Sequence, residues 1–389
     1  MKPLRLVIVT RRFWPLVGGP ERLLANLAVE LAGRGCAVTV LTPRWRAAWP
    51  TQIRFHGVPV TRLPHAPEGR WGMLRHLRLL ARWLRAHAAR YDLVYVSTLR
   101  HEAYVALRAA GAGTTVVVRA ERAGRRGDCA WQAEATCGTR IKRRCMTAAA
   151  LVAPSPAVEQ ELIAAGYPAA HIRYVPNGVP IPPPRTPAAK AVARAVLGEA
   201  HAALNLPDDA PLAVYTGRLS HDKGLKPLVI AWRQVLARWP SARLWLAGEG
   251  SEQTALQRQI EVLNLSGRVL LAGVFDTVDE LLAAADLFVA PSLEVGTAVS
   301  LMEAMAAGLP IVAADTAGHR PWITDGQHGL LVPGDDACAL AAAIQRLLDE
   351  PELAARLGAA AHRRAAEFSL ARMADQHLAL FESLRSAKV

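Results

Sequence analysis

Long apolar runs are missing from this chain of 389 residues, although apolar residues make up 52% of it. No stretch reaches the roughly 20 uncharged residues that a membrane-spanning helix requires. The apolar content is therefore expected inside cores, and the length points to two domains of roughly 150 to 200 residues each. The opening MKPLRLVIVT offers only a few apolar residues before Arg11 and Arg12. It reads as a first strand and not as a signal peptide, so the expectation is a cytoplasmic protein, soluble or peripheral on the inner face of the membrane.

Cysteine is also scarce. There are five, an odd number, with no CxxC pair, which argues against a zinc or redox site and for a reduced chain. Cys129, Cys137 and Cys145 recur every eight residues, a spacing wider than metal knuckles use. A GxGxxG fingerprint is absent too: GEGSE, Gly248 to Glu252, is only a glycine turn.

Acidic residues are few in one half. Residues 1–185 carry 28 Lys and Arg against 10 Asp and Glu, and residues 186–389 carry 18 against 23. The basic half suits an anionic partner such as membrane headgroups, a phosphorylated acceptor or nucleic acid. An Arg-rich genome composition would give the same bias. Within it, GRWGMLRHLRLLARWLRAHAARY, residues 69–91, contains no acid. Its Arg, Leu and Trp recur at helical spacing, so Trp71, Leu74 and Trp83 can dip into anionic headgroups or pack on a sheet.

Short apolar runs alternate with longer amphipathic stretches, the pattern of parallel sheets covered by helices. LRLVIVT, CAVTVLT, DLVYVS, TTVVVRA and ALVAPS read as strands of a first domain. LAVYTG, ARLWLAG, RVLLAG, DLFVAPS, LPIVAAD and HGLLVP read as strands of a second. VPNGVPIPPPRTP, residues 175–187, holds six prolines and reads as a linker. The domains expected are 1–180, 181–365 and a helix at 366–389 that returns to the first. Two doubly wound domains facing a central cleft would bind ligands at the carboxyl ends of their strands.

Three stretches carry chemistry. GRLSHDKG, residues 217–224, follows a strand and precedes a helix. Arg218 and Lys223 in that turn can reach a diphosphate near the helix start. PSLEVGTAVSLMEAMAAGLP, residues 291–310, places Glu303 inside a helical segment. Its start, Gly296 to Val299, would point backbone N–H groups at an anion while the carboxylate takes two ribose hydroxyls. Gly18 and Gly19, between the first strand and a helix near Pro20, allow close backbone approach.

In order along the chain, FWPLVGGPERLLANLAVELAGRGCAVTVLT, VPNGV, GRLSHDKG, LAGEGSE, VLLAGVFDTVDELLAAADLFVAPS, SLMEAMAAGLPIVAADTAGH and DGQHGLLVPGDD resemble the family-four retaining glycosyltransferases of the GT-B fold. The resemblance covers nearly the whole chain. It implies an α/β protein of two Rossmann-like domains that moves a sugar from a nucleotide-diphosphate donor, such as a UDP- or GDP-sugar, to a glycan, lipid-linked or small-molecule acceptor.

By matching position, Arg218, Lys223 and Gly217 hold the diphosphate and Glu303 the ribose. Gly296, Thr297, Ala298 and Val299 contact phosphate, Val274 and Phe275 the base, and Gly18 and Gly19 close the phosphate side. The resemblance implies no metal, no cofactor beyond the donor and no protein nucleophile. Beside the resemblance, residues 69–91 leave an anionic membrane surface open as a further partner, against packing on the sheet; no nucleic-acid module is recognisable.

The chain departs from the family pattern in three places. Where the family has a donor-sugar glutamate eight residues before Glu303, this chain has Val295, with Glu294 beside it. Where a glutamate commonly follows the glycine of TAGHRPWI by three, Pro321 stands, and His319 and Arg320 face the donor or cover the sheet. The fourth strand ends VVVRAERAGRRGD without the family's histidine, leaving His101 as nearest candidate, with Arg119, Glu121 and Asp128 in the charged, glycine-rich stretch. Val295 and Pro321 keep open a protein that binds nucleotide or glycan without turnover, the basic half keeps open a nucleic-acid-binding protein, and an epimerase on the same fold is a further alternative.

Overall fold

The computed structural model describes residues 3–16, 18–111, 113–207, 209–293 and 298–386. They form two compact units, Met1–Gly178 with Leu370–Val389, and Val179–Ser369.

Unit 1 is built on β1 (Arg5–Val9), β2 (Ala37–Pro43), β3 (Gln52–Phe55), β4 (Val58–Leu63), β5 (Leu93–Ser97), β6 (Thr115–Arg119), β7 (Ala150–Ala153) and β8 (Ile172–Tyr174). They lie in one sheet, ordered β3-β4-β2-β1-β5-β6-β7-β8. All pairings are parallel except β3 with β4. β5, β6 and β7 are buried at every position, because helices cover both faces of central parallel strands.

The β3–β4 hairpin and β8 add to the strands expected from sequence. His56 and Gly57 both have positive φ, 45° and 84°, the backbone of the tight turn that matches strand twist. HG lacks the asparagine or aspartate that usually announces such a turn, and β3 alternates exposed with half-buried residues as an edge strand.

Unit 2 is built on β9 (Leu212–Thr216), β10 (Arg243–Ala247), β11 (Val269–Gly273), β12 (Leu287–Ala290), β13 (Ile311–Ala314) and β14 (Leu330–Val332). Their order is β11-β10-β9-β12-β13-β14, all parallel. Trp232, Leu244, Leu246, Val289 and Ile344 are among its core residues. In this sheet β9 lies between β10 and β12, so the connections leave β9 and β12 toward opposite sides. Ligands of open α/β sheets bind at the carboxyl ends beside such a switch point.

Within the proline-rich stretch, buried Asn177 accepts a hydrogen bond from buried Arg119 at the end of β6, 2.6 Å. Thr186 then caps the helix Pro187–Ala200, its hydroxyl accepting from the Ala189 N–H at 3.1 Å, with proline at the first helical position where no N–H is needed. The last helix, Leu370–Ser386, packs in unit 1 through Met373, His377 and Phe381. There the Tyr95 hydroxyl meets His377 Nε2 at 2.9 Å, and the ring's Nδ1 donates to the Met373 carbonyl at 2.8 Å. Burial pushes the His377 pKa down to about 4, so the ring is neutral. Among the described residues no helix is long and apolar enough to cross a membrane.

Candidate functional site

The carboxyl end of the unit 2 sheet is assembled by backbone. After β9, Gly217 sits at φ 150° and Gly224 at φ 62°. The Gly217 N–H donates to the Ala247 carbonyl, the Leu219 N–H to Glu249, and the Glu252 N–H back to Leu219, each at 2.9 Å. The Gly248 N–H donates to the Gly273 carbonyl at 2.6 Å. Added Cβ atoms would lie 1.9 Å from the Gly217 oxygen at Gly248 and 2.2 Å from the Leu219 oxygen at Gly250. Only glycine permits those approaches, so GEGSE braces the loop after β9.

The loop after β9 also meets the loop after β12. The Leu293 N–H donates to the Asp222 carbonyl at 3.1 Å, and a Cβ on Gly224 would lie 2.1 Å from the Pro291 oxygen. The two charge-bearing stretches therefore come together at the switch point. Arg218 is exposed, its carbonyl held by the Tyr215 hydroxyl at 2.9 Å. Lys223 Nζ lies 3.4 Å from Asp222 Oδ2. Burial opposes the Asp222 charge, but the Ser220 hydroxyl at 2.7 Å and the Lys223 ammonium prevail and hold its pKa below the usual range.

Beyond Pro291, Ala298 has left-handed φ, 49°, and the helix Val299–Ala306 begins. Its Leu301, Met302, Ala304 and Met305 are buried, and Glu303 is half-buried, one turn from the helix start. Glu294, Val295, Gly296 and Thr297 lie outside the described residues. Val274 is exposed and Phe275 half-buried just past β11, at the sheet edge.

His319, after β13, is buried, and its Nδ1 donates to the Ala314 carbonyl at 2.7 Å. Burial pushes its pKa to about 4, with the nearby Lys223 charge acting in the same direction and the Ala314 carbonyl against it. A neutral imidazole thus stands near the lysine. Arg320 pairs with Asp315 through two hydrogen bonds, 2.7 and 2.9 Å.

The carboxyl end of the unit 1 sheet joins main-chain bonds, such as Thr98 N–H to the Arg119 carbonyl at 2.8 Å and Ala120 N–H to Val152 at 3.0 Å, with charged side-chain pairs. Gly18 precedes the helix Gly19–Gly33, and its φ of 175° suits any residue. Arg12 Nε lies 3.0 Å from Glu21, whose pKa burial raises despite that charge. Arg11 Nε lies 3.3 Å from Glu102, which is 2% exposed. The Ser97 hydroxyl donates to Glu121 at 2.7 Å.

Asp128 accepts from the Glu121 N–H at 2.7 Å and from Arg100 Nε at 3.2 Å. Burial, reinforced by the Glu121 charge, raises its pKa to about 6. The charged glycine-rich stretch therefore folds onto the end of the sheet through a short helix, Asp128–Glu134. His101 opens the helix His101–Ala109, with its ring edge on Trp131 and Nε2 3.4 Å from the Cys137 sulfur. Burial lowers its pKa. Of these groups Glu102 has the faintest sequence signal, that of an acid in the first turn of a helix after a strand.

Residues 17–181 match the family model described as Glycosyltransferase Family 4, and residues 210–350 match that described as Glycosyl transferases group 1. EpsD of Bacillus subtilis, assigned to the glycosyltransferases, is 36% identical over 43% of this chain and 44% of its own length. The lipopolysaccharide core biosynthesis glycosyltransferase LpsE of Rhizobium meliloti is 34% identical over 47% and 53%. The chain thus spans about half the length of the curated relatives it matches.

The fold matches that of sucrose-phosphate synthase from Thermosynechococcus elongatus, with TM-score 0.81 and 24% identity over 99% of this chain and 100% of that one. It also matches Anabaena HepE, solved with UDP and glucose, with TM-score 0.79 and 23% identity over 98% and 100%.

Proposed function

The chain belongs to the family-four glycosyltransferases of the GT-B fold, and from that premise we propose that it moves a sugar, with retention, from a nucleotide-diphosphate donor to a glycan, lipid-linked or small-molecule acceptor. The observation that carries this reading is the junction of two loops at the β9/β12 switch point, where Gly224 abuts Pro291 and Asp222 meets Leu293. It brings Arg218 and Lys223 to the same end of the sheet as the helix bearing Glu303. The UDP and UDP-glucose bound by HepE lend support to a nucleotide-sugar donor.

In this reading the bond from the donor sugar to the diphosphate breaks, and the acceptor oxygen bonds the same carbon on the face just vacated. Arg218 and Lys223 offset the charge gathering on the departing diphosphate, a task that elsewhere falls to a divalent metal. Glu303 accepts both ribose hydroxyls, and the N–H groups around Ala298 and Val299 face phosphate. In unit 1, His101 is the imidazole available to take the acceptor's proton, since burial favours its neutral form.

A donor that binds the folded state raises its melting temperature by mass action. A UDP-, GDP- or ADP-sugar should therefore give a thermal shift that Arg218→Ala and Lys223→Ala each abolish. If both variants keep the full shift, the diphosphate site is misassigned. A second reading, binding without turnover, is motivated by Val295 and Pro321. It shares the thermal shift but predicts neither transfer nor donor hydrolysis.

The helix Gly69–Ala86 supports peripheral attachment to anionic lipid. Trp71 is 74% exposed and Leu74 37%, among exposed arginines such as Arg75, Arg78 and Arg82. Trp83 instead stacks on His87 and is half-buried, so the inserting end is the first two turns. Trp71→Ser with Leu74→Ser should reduce sedimentation with phosphatidylglycerol vesicles. Unchanged sedimentation would remove the helix from the contact.

A further inference from the structure

On one face of the unit 1 sheet, parts of β2, β4 and β3 bound a groove of about 520 Å³ beside the end of the helix Gly69–Ala86. Strands of a mostly parallel sheet are normally covered on both faces. Here Ala37, Gln52, Arg54 and Pro59 remain exposed. The volume falls inside the roughly 300–1,000 Å³ of small-molecule sites. It is remote along the strands from the site described above for unit 1, since it is lined by the first halves of β1 and β2, not their carboxyl ends.

The floor is a hydrogen-bonding surface. Pleating sets Thr39, Thr61 and Gln52 on one face, and the register places Gln52 opposite Thr61 and Arg54 opposite Pro59. The wall is aromatic. Trp83 stacks on His87 with ring centroids 4.3 Å apart and 16° between planes, and Tyr91 lies nearly parallel to it at 6.5 Å. His87 is fixed by the Trp83 carbonyl at 2.8 Å, and the Tyr91 hydroxyl by Leu84 at 2.6 Å. The wall is therefore set before any ligand arrives.

Its charge is of one sign. Arg54 and Arg90 are exposed at the groove, and among the described residues none that lines it is a carboxylate. Asp92, next in chain to Tyr91, is engaged by Arg5. Both arginines keep donors that can face an anion: Arg54 uses Nη1 on the Gly57 carbonyl at 2.9 Å.

We infer that this groove binds an acidic saccharide, a sugar unit carrying a carboxylate, at a place separate from the transfer chemistry. Hydroxyls of a pyranose match the threonine and glutamine floor, its C–H faces match the aromatic wall, and its carboxylate matches a guanidinium fork. A nucleobase would want an apolar slot, and a nucleic-acid strand a longer cationic track.

The test is titration of the full chain with tetragalacturonate, maltotetraose and a single-stranded oligonucleotide. Tetragalacturonate should bind, and Arg54→Glu with Arg90→Glu should weaken it by about ten-fold or more. Both side chains are exposed, so an unchanged melting temperature verifies the fold of the double variant. The thermal shift with nucleotide sugar should persist in that variant, which separates failure here from failure of the transferase reading. The inference is overturned if tetragalacturonate does not bind, if the double variant binds it equally, or if either of the other probes binds as tightly.

Discussion

The two sheets end differently at their carboxyl edges. In unit 2 the loops are laced by main-chain hydrogen bonds and by glycines at which a Cβ would fall 1.9 to 2.2 Å from a carbonyl oxygen, namely Gly224, Gly248 and Gly250. In unit 1 charged side-chain pairs, Arg11 with Glu102, Arg12 with Glu21 and Arg100 with Asp128, are added to main-chain bonds such as that from the Thr98 N–H to the Arg119 carbonyl. A backbone cradle presents N–H groups and tolerates almost no change of residue. A side-chain web can be rebuilt with other residues on the same scaffold. That contrast suits the proposal of a nucleotide-diphosphate donor at the unit 2 edge and a variable acceptor at the other.

The largest expected effect tests the backbone half of this contrast. Gly224→Ala forces a left-handed residue against the Pro291 oxygen, so it should cost roughly 2–4 kcal/mol and remove the nucleotide-sugar thermal shift. At Gly18 the nearest atoms to an added Cβ belong to the Glu21 carboxylate, the end of a side chain, and φ is extended. Gly18→Ala should therefore cost about 1 kcal/mol or less, the ordinary loss at a helix cap. Denaturant midpoints of both variants decide the matter. Equal losses would erase the distinction between the edges.

The same contrast explains what could be read from sequence. The parallel strands were legible because apolar runs and glycine stops repeat in order. The GT-B fold was legible through the resemblance of seven ordered blocks to a known family, and steric need pins one residue type at Gly217 or Gly224. The β3–β4 hairpin was not, since its turn is His56-Gly57 and its edge strand is short and half-exposed. The meeting of Glu102 with Arg11, or of Asp128 with Arg100, joins residues 91 and 28 positions apart; no local pattern announces it. The recognised glycosyltransferase blocks located Arg218, Lys223 and Glu303 in the chain. The lacing of GEGSE to GRLSHDKG emerged only from backbone geometry.

A smaller effect separates the units by pH. His319 in unit 2 and His377 in unit 1 are both neutral in the fold, with pKa about 4 against an ordinary 6.5. Each contributes stability that is full above pH 6.5 and lost as pH falls toward 4, on the order of 3 kcal/mol. Asp128 has the opposite sign. Its pKa of about 6, raised from 3.8, means that the fold holds the proton more tightly, so its contribution is present at low pH and lost as pH rises through 6. Asp128 therefore offsets part of the acid loss of His377 in unit 1, to which the lowered His101 and His76 add.

In unit 2 the depressed Asp222 adds to the acid loss of His319. Hydrogen exchange, corrected for its intrinsic pH dependence, should show β9 and β12 losing protection before β5 and β6 between about pH 6.5 and about pH 4.5. Asp128→Asn should narrow that gap. Earlier loss in unit 1 of the unchanged protein would reverse the assignment.

The smallest effect concerns Arg320, a unit 2 cation just past β13 whose pairing resembles the charged pairs of unit 1. Its two hydrogen bonds to Asp315 lie at the surface, with 66% of the arginine side chain exposed. Solvent and salt screen such a pair, so Arg320→Ala should leave the melting temperature unchanged within error. Arg100→Ala should lower it, because it strips a guanidinium from a buried carboxyl. The informative readout is the nucleotide-sugar shift of Arg320→Ala. If it persists, Arg218 and Lys223 carry the anion and the pair with Asp315 merely covers the end of β13. If it disappears, the Arg320 pair takes part in holding the donor, and the glycine-braced loops alone do not define the unit 2 edge.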